Sequence, residues 1–514
     1  MNSTLKVAAM ALPLCIPACT ADDNPKRETP KNGETPRNVI FILSDDHRYD
    51  YMGFLNVIPY LETPNMDFLA REGAYIQNAF VTTSLSSPSR ASILTSLFSH
   101  EHTVVDNDSP LPDNLIFFPE YLQSAGYRTG FFGKLHMGNH SGNPLPGFDQ
   151  WESLNGQGTY FNVKLNINGE WTQFPEEEYV ADILTHHAIE FIEDNKDKPF
   201  FVYLSHKNVH EPFDASQEVK GCYEGLPNPR PASFMTPYYE VHPLPSKDAN
   251  GVPATGRGWY GEDRMPDWVK NQRESWHGVD YLYNGRTNLD IELNRYCEAI
   301  KSMDNSIGEL LDYLRKTGLD KSTLIIYMGD NGFIWGEHGL IDKRNFYEAS
   351  VRVPMLAYCP EIIPPGTVVT DMVQNIDIAP TIMDACGREK AQHMRGDSFL
   401  PMLKGQPAPD DWRHRIYYEY YWEFAFPQTP TMFGVRTDEY KYIHYHGIWD
   451  TNEFFNLKED PDEMHNLIDD PQYQDVIKQL DKDLFDWLEN TSGMEISLKR
   501  TDHLHWDWRN LRTY

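Results

Sequence analysis

Acidic and amide side chains come directly after two apolar runs of the sequence. Asp45 and Asp46 follow the first run, and Asp330 and Asn331 follow the second. Oxygen donors of this kind favour calcium or magnesium over zinc or copper. Two such pairs, each at the end of an apolar run, predict a divalent metal site that is assembled from two distant parts of the chain.

A row of serines beside a proline and an arginine is the second feature with chemical potential. The segment from Ser86 to Thr95 reads Ser-Ser-Pro-Ser-Arg-Ala-Ser-Ile-Leu-Thr. This pattern is typical of the first turns of a helix, with Ser86 or Ser87 near the cap. A serine hydroxyl is a poor nucleophile at neutral pH unless a base or a metal activates it. A catalytic role for Ser86 would therefore need an activating group nearby.

The elements that must position these residues are indicated by three nearly continuous apolar runs, which are typical of buried strands. The runs lie at residues 38–43, 200–204 and 324–328, and each ends in polar residues. Between them, apolar residues at spacings of three and four predict helices, as from Tyr296 to Leu314. Alternating strands and helices predict an α/β sandwich with a mostly parallel sheet. In that architecture ligands gather beyond the carboxyl ends of the strands, where the polar clusters fall.

The chain changes character after about residue 410. Short, partly alternating aromatic segments between Arg415 and Leu457 are typical of antiparallel strands. A helix with one apolar face follows, from Val476 to Leu488. We therefore expect a main domain over residues 38–409 and a smaller C-terminal α+β domain, with an antiparallel sheet, over residues 410–514.

The segment 221–285 is rich in proline, glycine and aromatic residues, among them Trp268 and His277. Two interpretations stay open for it. It is either a loop insertion with its own small core or a wall of a substrate cleft, in which flat rings stack on sugar faces.

The N-terminus predicts export. Residues 1–19 combine a basic residue, an apolar run too short to span a bilayer, and small residues before Cys19. The end of this segment resembles a bacterial lipobox, in which the cysteine is lipidated, although an ordinary signal cleaved near Ala21 is the alternative. Residues 20–37 are polar and predict a flexible tether. We therefore expect a periplasmic or cell-surface lipoprotein of a bacterium, held to a membrane by a lipid anchor.

Charge and cysteine content exclude several classes of function. The 514 residues carry 76 acidic and 45 basic side chains, for a net charge of −31. Such a field repels polyanions, so binding of nucleic acid along an extended surface is not expected. The four cysteines beyond the leader, Cys222, Cys297, Cys359 and Cys386, allow two disulfides but lack the spacing of a zinc site.

Beyond these patterns, nearly the whole mature chain resembles one enzyme family. The segment at Ser86 resembles the maturation signature of type I sulfatases, in which a Cys or Ser followed by x-Pro-Ser-Arg is oxidised to formylglycine. Further stretches similar to the family occur in its order along the chain. They are Asp45-Asp46, Gly130 to His136, Ser205 to Pro212, Asp330-Asn331-Gly332, Gly336 to Gly339, Asp342 to Arg344, Tyr347-Glu348, Arg352 to Pro354, Arg436 to Tyr442 and Asp460 to Leu467.

Two positions depart from the family's usual pattern. Ser86 stands where the common form has Cys, and the Ser form implies an anaerobic-type maturase, so a host without that enzyme would yield inactive protein. Ser96 replaces a usual glycine after Leu94-Thr95, and we expect no chemical consequence of this change.

The resemblance implies a fold, a cofactor and a set of residue roles. It implies an alkaline-phosphatase-like sandwich, so that residues 38–409 form a catalytic sulfatase domain, and it implies that Ser86 becomes formylglycine. The implied calcium ligands are Asp45, Asp46, the modified Ser86, Asp330 and Asn331. Arg90 and Lys134 would stabilise the formylglycine, and His136 would take its remaining hydroxyl proton. Lys343 and His210 would bind sulfate oxygens and serve the leaving oxygen, with His210 as the better candidate for the acid because an ordinary histidine titrates near neutrality.

The expected substrate is a sulfated saccharide, with N-acetylglucosamine 6-sulfate on a host glycosaminoglycan or mucin saccharide as the leading candidate. The stretches from Tyr160 to Gly169 and around Lys343 resemble N-acetylglucosamine-6-sulfatases, although other bacterial glycan sulfatases share them. A galactose or N-acetylgalactosamine sulfatase is the main alternative. A phosphoesterase or phosphonate hydrolase of the same superfamily, and a non-catalytic lipoprotein that only binds sulfated glycans, are two others.

The maturation signature generates the first testable prediction. Conversion of Ser86 to formylglycine removes two hydrogen atoms, so mass spectrometry of the Ser86 peptide from the native producer should detect that loss. An unmodified peptide from an anaerobic native host, together with no release of sulfate, would overturn the enzymatic interpretation.

Overall fold

The strand predicted directly before Asp45 lies in the middle of the main sheet. A computed structural model describes residues 37–138, 141–235, 265–273, 275, 277–282, 288–447 and 450–494 of the chain. The predicted leader and nearly all of the predicted tether, together with Trp259 and Trp276 of the aromatic segment, lie outside the described residues.

The described residues form strands and helices in the predicted alternation, numbered here in chain order. The strands are β1 (Asn38–Ser44), β2 (Ala74–Ile76), β3 (Ala79–Phe80), β4 (Arg128–Gly133), β5 (Gln150–Leu154), β6 (Lys164–Ile167), β7 (Glu170–Gln173), β8 (Phe200–Ser205), β9 (Thr323–Gly329), β10 (Ile334–Trp335), β11 (Ile341–Asp342), β12 (Met355–Tyr358), β13 (Thr367–Val369), β14 (Val373–Gln374), β15 (Arg415–Tyr420), β16 (Met432–Thr437), β17 (Tyr440–Tyr445) and β18 (Glu453–Asn456). The α-helices are α1 (Pro64–Glu72), α2 (Ser86–Thr95), α3 (Ser99–His102), α4 (Phe118–Ser124), α5 (Val180–Asn195), α6 (Asp267–Gln272), α7 (Leu289–Thr317), α8 (Glu348–Val351), α9 (Ile378–Ala385), α10 (Leu400–Leu403) and α11 (Gln474–Asn490).

The main sheet has ten strands in the order β13-β2-β12-β9-β1-β8-β4-β5-β6-β7. Its five central strands, from β9 to β5, are parallel, whereas β12, β6 and β7 pair antiparallel with their neighbours. In the register of β1 with β9, Ser44 is opposite Gly329. The residues that follow these two strands therefore leave the sheet side by side, and the predicted α/β sandwich is confirmed.

Alternate residues of β1 serve two separate hydrophobic cores. Val39 and Phe41 belong to the core that includes α2 and α9, whereas Ile40 and Ile42 belong to the core that includes α5 and α7. Because successive side chains of a strand point to opposite faces, a strand covered on both sides must be apolar at every position. This explains why the run before Asp45 reads as continuously apolar.

The C-terminal region forms the antiparallel sheet that its aromatic segments predict. Its four strands are ordered β15-β16-β17-β18. Helix α11 packs on this sheet through Leu484 and Trp487, and the Trp487 ring stacks on Tyr417 at 4.7 Å between centroids. The domain boundary at residue 410 stays a prediction.

A buried ionic network joins the C-terminal sheet to the main domain. Lys441 Nζ lies 2.8 Å from Glu348 Oε1 and 2.6 Å from Glu463 Oε1, and it donates to the carbonyl of Phe346 at 2.7 Å. Arg436 also pairs with Glu348, at 3.1 Å. These charges are nearly inaccessible to solvent, so each depends on its partners for the solvation that water would otherwise supply.

The described part of the chain contains neither a disulfide bond nor a membrane-spanning helix. Cys222, Cys297, Cys359 and Cys386 are all free, so the two disulfides that the sequence allows are not formed. Within the part of the chain that the structure describes, no helix combines the length and the apolar character needed to cross a membrane.

The ionic network generates the second prediction. Lys441→Met should lower the free energy of unfolding by about 3–5 kcal/mol, because Glu348 and Glu463 would lose a buried countercharge. Urea denaturation would measure the loss. Lys458→Met is the matched control, because the Lys458 side chain is 64% exposed and forms a single surface pair with Glu439. Equal effects of the two substitutions would contradict the assigned role of the network.

Candidate active site

Four of the five predicted metal ligands, Asp45, Asp46, Asp330 and Asn331, meet at the ends of β1 and β9. The backbone N–H of Asp46 donates to Asp330 Oδ1 at 3.0 Å, and Asn331 Nδ2 donates to Asp46 Oδ1 at 2.8 Å. The N–H of Asp330 donates to the carbonyl of Ser44 at 2.9 Å. These bonds hold the two strand ends together, and all four side chains are buried.

Helix α7 supports this strand end from behind. The hydroxyl of its Tyr296 donates to the carbonyl of Asp46 at 2.6 Å and accepts from the N–H of Arg48 at 2.8 Å. Asp46 has a φ of +60°, a left-handed conformation that is unfavourable for most residues. The Tyr296 hydroxyl therefore helps to fix a turn that would otherwise be costly.

Helix α2 begins at Ser86 and directs its N-terminus at the carboxylates. Ser86 Oγ donates to Asp45 Oδ1 at 3.2 Å, and every residue of the helix is buried. The N–H of Ser87 donates to Asn107 Oδ1 at 3.1 Å. The partial positive charge of a helix N-terminus favours anions, so Ser86 lies where a negative group is stabilised.

Ser96, where the resemblance leads one to expect glycine, ends this helix in a left-handed conformation with a φ of +58°. Glycine is favoured at such a position because it has no Cβ. The Ser96 hydroxyl donates to the carbonyl of Ile376 at 2.6 Å and accepts from the N–H of Gly396 at 3.0 Å. These two bonds offset the conformational cost of a serine, far from the reacting end of the helix.

Two buried cations, Arg90 of α2 and Lys134 after β4, lie against the carboxylates. Arg90 Nε donates to Asp330 Oδ2 at 3.0 Å, and its Nη1 donates to the carbonyl of Lys134 and to Ser205 Oγ. Lys134 Nζ forms an ion pair with Asp45 and donates to Gln157 Oε1 at 2.5 Å. Both cations are thus aimed at the acidic cluster by the ends of β4 and β8.

Three further residues complete the set that the sequence predicts. Lys343 Nζ forms an ion pair with Asp46, and His210 Nε2 lies 3.7 Å from Asp46 Oδ2. His136 follows β4 with a φ of +54°, and its carbonyl accepts a hydrogen bond from the Ser87 hydroxyl. All ten residues singled out from the sequence therefore lie in one cluster.

Burial and charge perturb the titration of this cluster. Burial raises the pKa of Asp46 to about 7, against the opposing effect of Lys343 and with a further contribution from the negative charges of Asp45 and Asp330. For Asp45, burial acts in the same direction, but Lys134 and other cations hold its pKa well below the usual range. Burial, reinforced by Lys134, lowers the pKa of His210 well below its ordinary value. The protein's own cations thus offset the burial of Asp45 but not that of Asp46.

The cluster opens into a cavity of about 440 Å³. Asp46, His136, His210 and Lys343 line its floor. The remaining wall is mostly polar and is formed by Asn107, Asp108, Asn155, Gly156, Gln157, Glu211, His277, Asp342, Arg344, Glu423 and Phe426. A small polar ligand with a negatively charged end fits such a pocket.

One side of the cavity is a rigid wall built around Arg344. Its Nε donates to Glu423 Oε2 at 2.7 Å, and the guanidinium lies 3.7 Å from the centre of the Phe426 ring. Asp342 pairs with the other end of the guanidinium, and the His277 ring stacks on Phe426 at 4.5 Å. The side chain is therefore held in one orientation beside the cavity.

Comparison with known protein families decides what this arrangement is. Residues 37–388 match the model of the family described as "Sulfatase". The chain belongs to the sulfatase family. Residues 336–490 also match the model described as "N-sulphoglucosamine sulphohydrolase, C-terminal". The resemblance seen in the sequence is thus confirmed, and the protein is a sulfatase with an alkaline-phosphatase-like fold.

Similar proteins extend over nearly the whole sulfatase. An "N-acetylglucosamine-6-O-sulfatase" of Bacteroides thetaiotaomicron is 32% identical, over 92% of this chain and 89% of the relative. A "multifunctional alkaline phosphatase superfamily protein" of Trinickia caryophylli is 26% identical, over 88% of this chain and 95% of the relative. A solved structure described as a complex with its substrate D-glucosamine-2-N,6-O-disulfate has a TM-score of 0.75 and 31% identity, covering 90% of this chain and all of that one.

The residues present in the sulfatase fit a divalent cation. Asn331 Oδ1 is buried and has no hydrogen-bond partner, which leaves a lone oxygen donor in the acidic cluster. Asp45, Asp46 and His210 offer ligand atoms that lie within 4.8 Å of one another. A bound cation would satisfy the amide oxygen and relieve the repulsion between the carboxylates.

Several features of the site escaped the sequence analysis. Gln157, Asn107, Glu423 and Phe426 lie on loops with no motif, and only the fold brings them to the cavity. Two further histidines belong to the stretches that resemble the family: His206 is buried without a hydrogen-bond partner for either ring nitrogen, and His338 stacks on Tyr347 at 4.0 Å between ring centres. Neither lines the cavity in the described part of the chain.

The described part of the aromatic segment 221–285 contributes to the cavity wall and packs into the main core rather than forming a small core of its own. Its His277 lines the cavity, whereas Trp268 packs against Tyr445 of the C-terminal sheet at 5.8 Å between centroids. Residues 236–264 of this segment lie outside the described part of the structure.

The donor set generates the third prediction. Calcium should raise the melting temperature, and a free concentration about 100 times Kd should add about 2.7 kcal/mol of stability. Asn331→Ala should weaken calcium binding at least about tenfold in isothermal titration calorimetry, since one oxygen ligand is lost.

Asn294→Ala is the matched control for that measurement. It removes another buried amide, on α7, whose side chain donates to Tyr60 and to the carbonyl of Leu226. Calcium affinity should stay at the wild-type value in this variant. An unchanged affinity in Asn331→Ala as well would contradict the assignment of the ligand.

Proposed function

We propose that this sulfatase hydrolyses the 6-O-sulfate ester of an N-acetylated or N-sulfated glucosamine residue in a glycosaminoglycan or mucin saccharide. The observation that carries the proposal is the position of Ser86 at the N-terminus of α2, where its hydroxyl lies 3.2 Å from Asp45, next to the Asp46 that lines the cavity. The substrate is supported by the names of the relatives at 31–32% identity, one an N-acetylglucosamine-6-O-sulfatase and the other a complex with a 6-O-sulfated glucosamine.

Ser86 is the proposed source of the nucleophile. Oxidation of its side chain to formylglycine by an anaerobic-type maturase, followed by hydration, supplies two hydroxyls on one carbon, one to attack sulfur and one to assist sulfate release. Lys134 and Arg90 lie beside this position and would stabilise negative charge on it. His136 would take the hydroxyl proton during release of sulfate.

A divalent cation completes the nucleophile's surroundings. Asp45, Asp46, Asp330, Asn331 and the modified Ser86 are the proposed ligands, and calcium suits their oxygen donors. When bound, the ion supplies positive charge beside the sulfate oxygens. Its role can be tested by chelation, which should stop turnover and lower the melting temperature together.

Lys343 and His210 are the proposed contacts to the sulfate group. Both line the cavity beside Asp46. Lys343 would hold an equatorial sulfate oxygen. His210 would donate a proton to the leaving sugar oxygen, since the negative charge of a bound sulfate ester favours the protonated imidazole that burial alone disfavours.

The wall around Arg344 is the proposed contact to the sugar ring. A guanidinium held by Asp342 and Glu423 can donate to sugar hydroxyls without losing side-chain freedom on binding. The same wall also carries the Asp342 carboxylate as an acceptor. It therefore offers a sugar hydroxyl both a donor and an acceptor of hydrogen bonds.

The proposed location is outside the cytoplasm. The apolar run before Cys19 supports export and a lipid anchor, and the polar residues 20–37 would hold the enzyme away from the membrane. A sulfated saccharide at the cell surface or in the periplasm would then be accessible to the cavity.

A phosphoester or phosphonate hydrolase is the second candidate. The similarity to a multifunctional alkaline phosphatase superfamily protein favours it. The match of residues 37–388 to the sulfatase family, which includes the Ser-x-Pro-Ser-Arg signature at Ser86, and the 32% identity to a sulfatase favour the sulfatase instead.

The proposal predicts a defined order of substrates. Protein from a host with the anaerobic-type maturase should release sulfate from N-acetylglucosamine 6-sulfate faster than from galactose 6-sulfate or N-acetylgalactosamine 6-sulfate, as measured by ion chromatography. Ser86→Ala should abolish turnover without lowering the melting temperature by more than about 2 °C. The control Ser492→Ala, at the exposed end of α11, should keep full activity.

Two outcomes would contradict the proposal. Faster turnover of an aryl phosphate than of an aryl sulfate would favour the second candidate. Preference for a galactose or N-acetylgalactosamine sulfate would replace the proposed sugar while leaving the reaction class intact.

A further inference from the structure

A second cavity, of about 640 Å³, adjoins the one above the metal ligands. The two cavities share Asn155 and Gln157 in their linings. Gln157 also accepts the hydrogen bond from Lys134, so this one side chain contacts the catalytic cluster and borders both cavities. A ligand that fills the first cavity therefore has a continuous path into the second.

The outer part of the second cavity is formed by the hairpin of β6 and β7. Asn166 is opposite Trp171 in the hairpin register, so Lys164, two residues before Asn166, shares a face with Trp171. Lys164 Nζ lies 5.5 Å from the centre of the Trp171 ring. Both residues line the cavity. The hairpin thus presents an aromatic ring and an ammonium group together.

Trp171 is unusual among the large apolar side chains because it is 39% exposed. Gly142 lies beside the ring, and a Cβ at that glycine would come within 3.4 Å of Trp171 Cη2. Because Gly142 has no side chain, the edge of the Trp171 indole lies close to the backbone at that residue. The ring is therefore part of the cavity wall while much of it stays exposed.

Lys164 is an uncompensated positive charge in a strongly acidic protein. In the described part of the chain no carboxylate pairs with its ammonium group, whose recorded contact is the Trp171 ring. The chain has a net charge of −31, and several other lysines on the described surface, such as Lys482 with Asp486, pair with an acid. An isolated lysine beside an exposed indole leaves a cation available to an anionic ligand.

Polar groups complete the lining with the chemistry of sugar recognition. Asn162, Thr159 and Gln157 line the same cavity. Asn162 is held in place by Gln173, whose Nε2 donates to its Oδ1 at 3.0 Å. Amide and hydroxyl groups around an aromatic platform can donate to sugar hydroxyls while the apolar face of the ring stacks on the indole.

We propose that this second cavity is a subsite for a negatively charged sugar that is joined to the sulfated glucosamine. The ring would stack on Trp171, and its carboxylate or sulfate would accept from Lys164. This inference rests on the proposed function, since the sugar in the first cavity fixes where its neighbour lies. The preferred substrate is therefore an oligosaccharide with an acidic neighbouring residue rather than a monosaccharide.

The test measures binding, so it does not depend on turnover or on maturation. Full-length, calcium-loaded Ser86→Ala protein would be titrated with N-acetylglucosamine 6-sulfate and with two disaccharides, in which that sugar is joined to a uronic acid or to galactose. The uronate disaccharide should bind at least about tenfold more tightly than the monosaccharide. Trp171→Ala and Lys164→Ala, each added to this background, should remove most of that gain, and Lys164→Ala should affect the uronate disaccharide more than the galactose one.

Matched controls come from exposed residues elsewhere on the surface. Phe54→Ala removes another exposed aromatic ring, at 37% exposure, and Lys482→Ala removes another exposed lysine. Neither should change the ratio of the disaccharide to the monosaccharide affinity. No gain for the uronate disaccharide, or a gain that both cavity variants retain, would overturn the proposal.

The failure of the proposed function has a different signature. A matured wild-type protein that releases no sulfate from these saccharides, although the Trp171-dependent and Lys164-dependent gain in binding persists, would refute the hydrolysis of this ester and leave the subsite in place. Normal turnover with no dependence on either residue would refute the subsite alone.

Discussion

The structure depends on the confinement of like charges at the tip of one parallel strand pair. Asp45, Asp46 and Asp330 lie together with almost no exposed surface, and such a group is unstable without countercharges. Arg90, Lys134 and Lys343 supply one positive charge for each carboxylate from three different segments. A divalent cation would bind the carboxylate oxygens directly and reduce their mutual repulsion further. The fold can be understood as the scaffold that brings those segments to one point against their mutual repulsion.

How much of this could be predicted from the sequence varied with the physical origin of each feature. The strand before Asp45 was predictable because burial on both faces leaves no polar position in it, and the helix around Tyr296 because its spacing repeats with the helical period. Motifs and the family resemblance predict ten site residues, and the structure brings these ten together, although their roles stay predictions. Gln157, Glu423 and Phe426 were not found, since their positions at the cavity follow from loop paths and from the docking of the C-terminal sheet, neither of which has a local signal.

The net charge of −31 and an anionic ligand are reconciled by distribution. Repulsion from a surface of exposed carboxylates acts over about a Debye length, roughly 8–10 Å in physiological salt, whereas the buried cations act on a ligand at contact. The Lys343 side chain is buried at the cavity. The ammonium group of Lys164 lies beside the Trp171 ring. Binding of an anion is thus a local event on an otherwise repulsive surface.

The long helix α7 ties the site to the rest of the main domain. Besides holding Asp46 through Tyr296, it accepts through Asp304 the first N–H groups of α1, those of Asn65 and Met66. Its Ser306 donates to Asp182 of α5 at 2.8 Å. Helix α7 is therefore hydrogen-bonded to the end of β1 and to the helices α1 and α5. Local opening that exposes the carboxylates must break all of these hydrogen bonds. The site and the sheet therefore belong to one cooperative unfolding unit. Hydrogen exchange of the backbone amides near Asp46 should be as slow as in the core.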